Sequence, residues 1–196
     1  MKNFKRDKTY IANAIIYNDS IYNRIGGNIP KYFDNKLKLI ENYLFYATFE
    51  HPQIIGKVFS ILIPKDYEFM LKDNIYPNCA IKVFIHDMSK ESSNILNTNK
   101  NLVCTSICDF IEIEEINYTG NLIKIGRKPN LIQEEDFYYN KLMSDGYTFF
   151  MQIDEDFYSN EMLKGSYPFG YGCVYLYCKY EKNQIIDIIA GFWQYS

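Results

Sequence analysis

The sequence predicts an α+β fold that is mostly antiparallel β, built as a tandem duplication of one β-rich module with few short helices. Three observations support this: the apolar segments are short and alternate as strands do, four landmarks recur in both halves, and only two segments have helical spacing. We therefore expect a first repeat over residues 1–92, a linker over 93–101 and a second repeat over 102–196, packed as one globular unit.

The first landmark is a strand that ends in glycine and is followed by a proline. It reads Ile25-Gly26-Gly27 before Pro30 in the first half, and Ile125-Gly126-Arg127 before Pro129 in the second half. Glycine at such a place suits a positive φ or the close approach of another backbone. The proline then prevents continuation into a central ladder.

The second landmark is a buried strand, over residues 43–50 and again over 147–154. Alternation predicts that each strand turns three apolar side chains to one face. These are Phe45, Ala47 and Phe49 in the first half and Phe149, Met151 and Ile153 in the second, with Glu50 and Asp154 at the strand exits.

The other landmarks are also β-type segments. Residues 76–85 match 167–178, where Val174, Leu176 and Cys178 alternate with Tyr175 and Tyr177 in a half-buried pattern. Both repeats open with a strand-like segment, over residues 10–17 and 102–116.

Helices and linkers are few in this interpretation. Short helices are predicted over 65–72, with Tyr67, Met70 and Leu71 on one face, and over 134–143. The polar stretch 89–100 has no periodicity, which indicates the connection between the two repeats.

Composition and charge limit the function classes. The chain of 196 residues is 47% hydrophobic, ample for a packed core, and its net charge is −3. This charge gives no basic field for a phosphate backbone, so nucleic-acid binding is disfavoured. No apolar run approaches the roughly 20 residues that span a bilayer. The N-terminal apolar stretch has no signal-peptide cleavage site. We therefore expect a cytoplasmic protein with no membrane or nucleic-acid partner.

The landmarks resemble the YwqG-like family of bacterial proteins. The resemblance rests on Ile125-Gly126, Pro129, the strand ending Met151-Gln152-Ile153-Asp154, the closing strand from Gly172 to Cys178, and Phe192-Trp193-Gln194. It covers residues 122–196 well and the first half only in outline, where Thr48 stands in place of the family's Gln. The family is related to eukaryotic chaperones of the programmed-cell-death-2 type, in a grouping called the TYPP domain.

The resemblance implies a duplicated β fold and binding to other proteins, without chemistry of its own. Relatives are suspected to be ribosomal-protein chaperones in eukaryotes and immunity proteins against toxins in bacteria. Many relatives carry Cys pairs before the Gln-Ile strand, but residues 28–42 and 130–146 contain none here. We therefore expect no zinc site and no cofactor.

The residues themselves indicate no catalytic constellation. The five cysteines are expected to be free core thiols, and no nucleophile elbow, dinucleotide loop or phosphate loop occurs. A Cys/His dyad, for example His86 with Cys79 or Cys178, stays open at this point.

We therefore predict a non-enzymatic protein-binding module, most simply an immunity protein that neutralises a toxin or another basic protein by direct binding. Acids steer association and tyrosines bury area at small entropic cost, which is why the loop after the Gln-Ile strand is the predicted interface. The candidate partner-binding residues are Asp154, Glu155, Asp156, Tyr158, Tyr167 and Tyr171. The alternatives are a chaperone-like binder of a basic, ribosomal-type protein, and a small-molecule binder or enzyme that uses a groove between the repeats.

Overall fold

The computed structural model describes residues 4–114 and 120–196, which form two six-stranded antiparallel sheets and a few short helices. The predicted mostly antiparallel β architecture with few short helices is confirmed. The strands are β1 (Thr9–Ala12), β2 (Ala14–Ile15), β3 (Arg24–Ile25), β4 (Tyr43–Glu50), β5 (Lys57–Pro64), β6 (Lys82–Asp87), β7 (Thr105–Ile107), β8 (Ile111–Ile113), β9 (Ile123–Ile125), β10 (Tyr147–Asp154), β11 (Cys173–Glu181) and β12 (Gln184–Gln194). The α-helices are α1 (Leu37–Ile40), α2 (Tyr67–Lys72) and α3 (Asn140–Ser144), and single 3-10 turns cover Lys31–Phe33, Asp136–Tyr138, Glu155–Phe157 and Asn160–Met162.

The two sheets exchange their first strands. The sheet named here the N-sheet has the order β2-β7-β3-β4-β5-β6, and the C-sheet has the order β8-β1-β9-β10-β11-β12. Strand β1, from the start of the chain, therefore lies between β8 and β9 of the C-sheet. Strand β7, from the second half, lies between β2 and β3 of the N-sheet.

The exchange is made by one two-stranded ribbon, named here the crossing ribbon, which consists of residues 9–15 and 105–113. At one end Ala14 pairs with Ile107 inside the N-sheet, and at the other Ile11 pairs with Ile111 inside the C-sheet. Asn13 lies at the crossing, where its carbonyl accepts from the Cys108 N–H at 3.0 Å. The same ribbon thus belongs to both sheets.

The glycines of the first landmark, Gly26 and Gly126, lie against the backbone that leads into the two strands of the ribbon. A Cβ on Gly126 would lie 2.1 Å from the Lys8 carbonyl oxygen, and one on Gly26 would lie 2.7 Å from that of Val103. Both glycines also have positive φ, +86° and +74°. Close backbone approach and backbone conformation therefore both require glycine at these two positions.

Each of the long strands β4 and β10 contains a β-bulge, which changes the face to which one predicted core side chain points. In β4 the register shifts between Phe45 and Ala47, and in β10 it shifts between Phe149 and Met151. The extra residue turns Phe45 and Phe149 away from the core between the sheets, so the prediction was wrong for these two side chains. The exits at Glu50 and Asp154 are confirmed.

The matched segments 76–85 and 167–178 lead into strands that occupy different positions in their sheets. The segment at 76–85 leads into β6, an edge strand, whereas the segment at 167–178 leads into β11, which pairs with β10 as β5 pairs with β4. The predicted match between these two segments was therefore wrong. The alternation within β11 is confirmed, but Tyr175 and Tyr177 are buried because helix α3 and the loop before it cover that face.

The predicted helices form where expected and are shorter. The segment at 65–72 gives α2, in which Met70 is buried while Tyr67 and Leu71 stay exposed, contrary to the predicted shared face. The segment at 134–143 gives a 3-10 turn followed by α3. Of the predicted strand at 102–116, β7 and β8 are formed, and residues 115–116 lie outside the described residues.

The main core lies between the two sheets and contains side chains from both. The ring centroids of Phe59 in β5 and Phe150 in β10 lie 5.6 Å apart across it. Because β1 and β7 change sides, the sheets do not divide the chain at residues 93–101, and the proposed repeat boundaries stay a prediction. Within the described ranges, no helix combines the length and apolar character needed to cross a bilayer.

Gly126→Ala is expected to destabilise the protein by about 3 kcal/mol or more, because it adds a clash with the Lys8 carbonyl to the strain of a positive φ. Gly56→Ala is the matched control, since its φ is +80° and its Cβ would meet no described atom within 4 Å. The control should lose only about 1 kcal/mol. Urea unfolding measures both, and equal losses would contradict the close approach of the ribbon.

Candidate functional site

The structure distributes the six predicted partner-binding residues over three places. Two are buried inside the fold, two lie at a small polar cavity and two line a larger groove. The buried pair is Glu155 and Tyr158, the pair at the small cavity is Asp154 and Asp156, and the pair in the groove is Tyr167 and Tyr171. The loop therefore does not present acids and tyrosines on one surface.

Glu155 is fully buried and ties the loop to itself. Its carboxylate oxygens accept from the backbone N–H groups of Phe169 and Gly172, each at 3.0 Å. Its own N–H donates to the Gly172 carbonyl at 2.9 Å. Burial raises the pKa of this carboxyl to about 7, and the hydrogen bonds from Gly172 and Phe169 oppose the rise. Glu155 thus closes the loop at both ends and is out of reach of a partner.

Tyr158 and Phe169 fix the middle of the loop to the N-sheet. The Tyr158 hydroxyl lies 2.7 Å from the Tyr46 hydroxyl, and both groups are buried. The Phe169 ring packs edge-on against Tyr46 with centroids 5.0 Å apart. These contacts make the loop a rigid wall that joins the two halves.

Asp154 and Asp156 lie at a cavity of about 180 Å³ beside β9 and β10, together with Lys124 and Gln152. Burial raises the pKa of Asp154 to about 6, while Asp156 is exposed. The Lys124 ammonium is buried and donates to the Asn130 side chain at 2.7 Å. This cavity is too small for more than a few water molecules or an ion.

Tyr167 and Tyr171 line the groove between the two halves, which has a volume of about 630 Å³. Its apolar floor comes from the first half, with Leu44 and Ile63 from β4 and β5 and Met70 from α2. The segment from Ser166 to Tyr171 forms the opposite wall. Both halves of the chain are therefore needed to form it.

Helix α2 holds one side of the groove in place. The Asp66 carboxylate caps its first turn by accepting from the N–H groups of Glu68 and Phe69 at 3.0 and 3.2 Å. At its other end the Met70 carbonyl accepts from the indole N–H of Trp193 at 3.0 Å. The helix is thereby attached to β12 of the C-sheet.

Two exposed tyrosines, Tyr67 and Tyr171, lie at the rim of this groove, and a third, Tyr195, lies next to the groove residue Gly170. Tyr67, Tyr171 and Tyr195 have relative exposures of 47%, 45% and 45%. They lie close together, since a Cβ on Gly170 would lie 3.1 Å from the Tyr67 hydroxyl and 3.6 Å from the Tyr195 Cβ. The sequence analysis missed Tyr67 and Tyr195. The signal that was available is a tyrosine directly after the capping Asp66, at a helix start where exposure is common.

The electrostatics of the groove differ from the predicted acidic surface. Among the described residues that line it, the one charged side chain is Lys65, whose ammonium donates to the Glu41 carbonyl at 2.6 Å. The groove is therefore an apolar and aromatic surface with polar groups from Asn99 and Asn101.

A second cavity, of about 400 Å³, lies over the N-sheet at Arg24 and Glu91. The buried Arg24 guanidinium donates to the backbone carbonyls of Gly26 and Asn28, and its carbon lies 4.5 Å from the Phe45 ring centroid. The Glu91 carboxylate accepts from the Tyr17 hydroxyl at 3.2 Å. Both charges thus hold loops of the protein itself in place.

The contacts of His86 test the two Cys/His pairs named above, His86 with Cys79 and His86 with Cys178. Its Nε2 lies 2.8 Å from the Ser60 hydroxyl and its Nδ1 lies 2.8 Å from the Asp87 carbonyl oxygen. The imidazole is buried, which lowers its pKa, and it stacks on the Tyr32 ring at 4.4 Å. His86 is therefore a hydrogen-bonded core residue and pairs with neither Cys79 nor Cys178.

The five cysteines are free thiols, and three of them are fully buried. These are Cys79, Cys173 and Cys178. Burial raises the pKa of Cys79 to about 12 and that of Cys178 to about 11, so both are protonated at neutral pH. In the described part of the chain, no three His, Cys, Asp or Glu side chains converge in a way that could hold a metal ion.

Comparison of the chain with protein-family models, with curated proteins and with solved structures gives no match.

Glu155 should make the folded protein less stable as the pH rises. Because its pKa is about 7 in the fold and ordinarily 4.5, the folded state keeps a proton that the unfolded chain has lost. Stability should therefore fall by up to about 3 kcal/mol between roughly pH 4.5 and 7 and then level off.

Glu155→Gln should reduce this slope, because an amide does not titrate. At pH 4.5 it should also lower stability, because an amide offers one acceptor oxygen where the carboxyl group offers two. Urea unfolding from pH 4.5 to 8 measures the slope. The exposed Glu161→Gln is the control and should keep the wild-type slope. An unchanged slope in Glu155→Gln would refute the assignment to Glu155.

Proposed function

We propose that this protein is a non-enzymatic binding protein that grips a protein partner in the tyrosine-rimmed groove. The observation that carries the proposal is the exposure of Tyr67 and Tyr171 in one largely apolar groove of about 630 Å³, with the exposed Tyr195 next to the groove residue Gly170. Interfaces draw most of their binding energy from a few aromatic anchors that enter desolvated pockets.

The construction of the groove supports this role. Its walls are rigid, because α2 is bonded to Trp193 and the opposite loop is pinned by Glu155. Rigid tyrosines lose little conformational entropy on binding, and an organised surface costs less to dock against than a mobile one. A flexible segment or a protruding loop of the partner fits a groove of this shape.

The partner class follows from the resemblance and the charge. We propose that the chain is a YwqG-like protein of the TYPP grouping and acts in the bacterial cytoplasm as an immunity protein that occludes a toxin. The net charge of −3 favours a neutral or basic partner. The exposed Asp156 contributes to that field from outside the groove.

The duplication is part of the same proposal. Strands β3, β4, β5 and β6 and strands β9, β10, β11 and β12 follow each other in the same spatial order. Their glycine positions at Gly26 and Gly126 and their bulges at Phe45 and Phe149 coincide in register. We infer that the two halves are diverged copies that formed the groove where they meet.

The test is an affinity pull-down of the tagged protein from its native host at moderate salt, with mass spectrometry of the retained proteins. One stoichiometric toxin-like partner is expected. A ribosomal protein in its place would favour the chaperone alternative. An empty bait would favour a small ligand, for which the groove volume lies in the usual range of roughly 300–1,000 Å³.

Tyr171→Ala and Tyr67→Ala should each weaken binding of the purified partner by about 10-fold or more, the loss of about 1.4 kcal/mol or more expected of an aromatic anchor. Phe137→Ala is the control, because this aromatic side chain is 58% exposed on a turn outside the groove. Isothermal titration calorimetry measures the three affinities. Affinities equal to that of the wild type in Tyr171→Ala and Tyr67→Ala would show that the partner binds outside the groove.

A further inference from the structure

The outer faces of the two sheets, those turned away from the main core, carry matching bulged strands. Phe45 in β4 stands opposite Leu62 in β5, and Phe149 in β10 stands opposite Tyr177 in β11. Both phenylalanines pack into clusters outside the main core. The two faces therefore offer the same backbone arrangement at these positions.

On the N-sheet the side chains packed over Phe45 include Ile29, Phe33 and Ile40 from the connection between β3 and β4. A second segment of the chain, residues 89–98, named here the covering segment, lies beside this connection. Its backbone bonds to the loop after β3, with Lys31 N–H donating to the Lys90 carbonyl and Ser92 N–H donating to the Ile29 carbonyl, each at 2.8 Å. Asn28 also donates from its side chain to the Ser92 carbonyl at 3.0 Å. The covering segment is thus held along its length by backbone bonds.

The covering segment then pairs with the bulge itself. The Phe45 N–H donates to the Asn97 carbonyl at 2.7 Å, and Phe45 forms a parallel bridge with Thr98. The Asn97 side chain donates to the carbonyls of Ile40 and Tyr43, each at 2.8 Å. Phe45 itself is fully buried, in a cluster with Ile29, Phe33, Ile40 and Leu62.

On the C-sheet, α3 and the loop before it cover the corresponding face over Tyr175 and Tyr177 but leave Phe149 only half-buried. A cavity of about 450 Å³, named here the outer pocket, lies over Phe149. The residues that line it are Arg127, Lys128, Pro129, Leu131, Tyr139, Met143, Tyr147, Thr148, Phe149 and Tyr177. Within the described ranges, no backbone hydrogen bond joins Phe149 to a segment outside its sheet. Phe149 is half-buried where Phe45 is fully buried, and Met143 is 62% exposed.

The charge of the outer pocket distinguishes it from its counterpart. Arg127 and Lys128 follow Gly126, where the N-sheet has Gly27 and Asn28 after Gly26. The Arg127 guanidinium donates to the backbone carbonyls of Asp7 and Glu114, at 2.7 and 3.4 Å. Among the described lining residues no carboxylate accompanies these two cations. The pocket is therefore apolar inside and positive on the side of Arg127 and Lys128, which suits an anionic group there. On other sides Asp136 and Asp187 accept from the hydroxyls of the lining residues Tyr139 and Tyr147.

We propose that the outer pocket binds an extended acidic segment of a partner protein, which pairs with β10 at Phe149 as residues 97–98 of this chain pair with β4 at Phe45. An apolar side chain of the segment fills the space between Met143, Tyr147 and Phe149. A carboxylate one or two residues away meets Lys128 and Arg127. This surface shares no lining residue with the tyrosine-rimmed groove, so the proposal does not depend on the function of the groove.

The test uses a displayed library of random 12-residue peptides, selected on the full chain. Enriched peptides are synthesised with a fluorescent label and titrated by fluorescence polarisation against the wild type and four variants, one of which is Tyr171→Ala in the groove. Met143→Glu and Lys128→Glu alter the pocket at exposed side chains, so folding, checked by circular dichroism, is retained. Leu39→Glu is the matched control, because Leu39 is 57% exposed on α1 of the N-sheet side.

The expected result is a set of peptides rich in Asp and Glu that bind the wild type and Leu39→Glu equally. Their affinity for Met143→Glu and Lys128→Glu should be lower by about 10-fold or more, as for loss of a central contact. Failure to enrich any peptide would overturn the proposal. So would peptides that bind both pocket variants as well as the wild type, including those that lose affinity for Tyr171→Ala and therefore occupy the groove.

Discussion

The crossing ribbon is the constraint on which the rest of the structure depends. Because β1 completes the C-sheet and β7 completes the N-sheet, each sheet needs strands from both ends of the chain. The backbone that leads into the ribbon, at Lys8 and Val103, passes Gly126 and Gly26 so closely that neither position has room for a side chain. The two sheets therefore enclose one core with side chains from both.

The loop from β10 to β11 forms one wall of the groove. The Glu155 carboxyl accepts hydrogen bonds from the backbone of the loop itself. Its burial raises its pKa to about 7. The benefit is a rigid wall from Ser166 to Tyr171 that faces α2 across the groove. In the proposed function, the partner meets tyrosines that are already in place. The outer pocket is a separate surface and shares no lining residue with the groove.

The sequence predicted the elements better than their environment. Alternation and the recurring glycine steps were enough for the antiparallel fold, because both depend on local chemistry. The facing of Phe45 and Phe149 was not predictable, since a bulge shifts the alternation without a composition signal. Burial of Glu155 escaped prediction for a similar reason, because its partners, Phe169 and Gly172, lie 14 and 17 residues away. Acidic neighbours in sequence thus separated into a buried acid and an exposed one.

The central claim, that the crossing ribbon makes the two sheets interdependent, is tested most directly by producing residues 1–101 and 102–196 as separate fragments. The chain has one tryptophan, Trp193, which is buried in the C-sheet, so its fluorescence reports folding of the second fragment. We expect neither fragment alone to give a dispersed amide NMR spectrum or a cooperative unfolding transition, because each lacks a strand of its sheet. A fragment 102–196 that folds alone, with Trp193 shielded from quenchers, would contradict the claim.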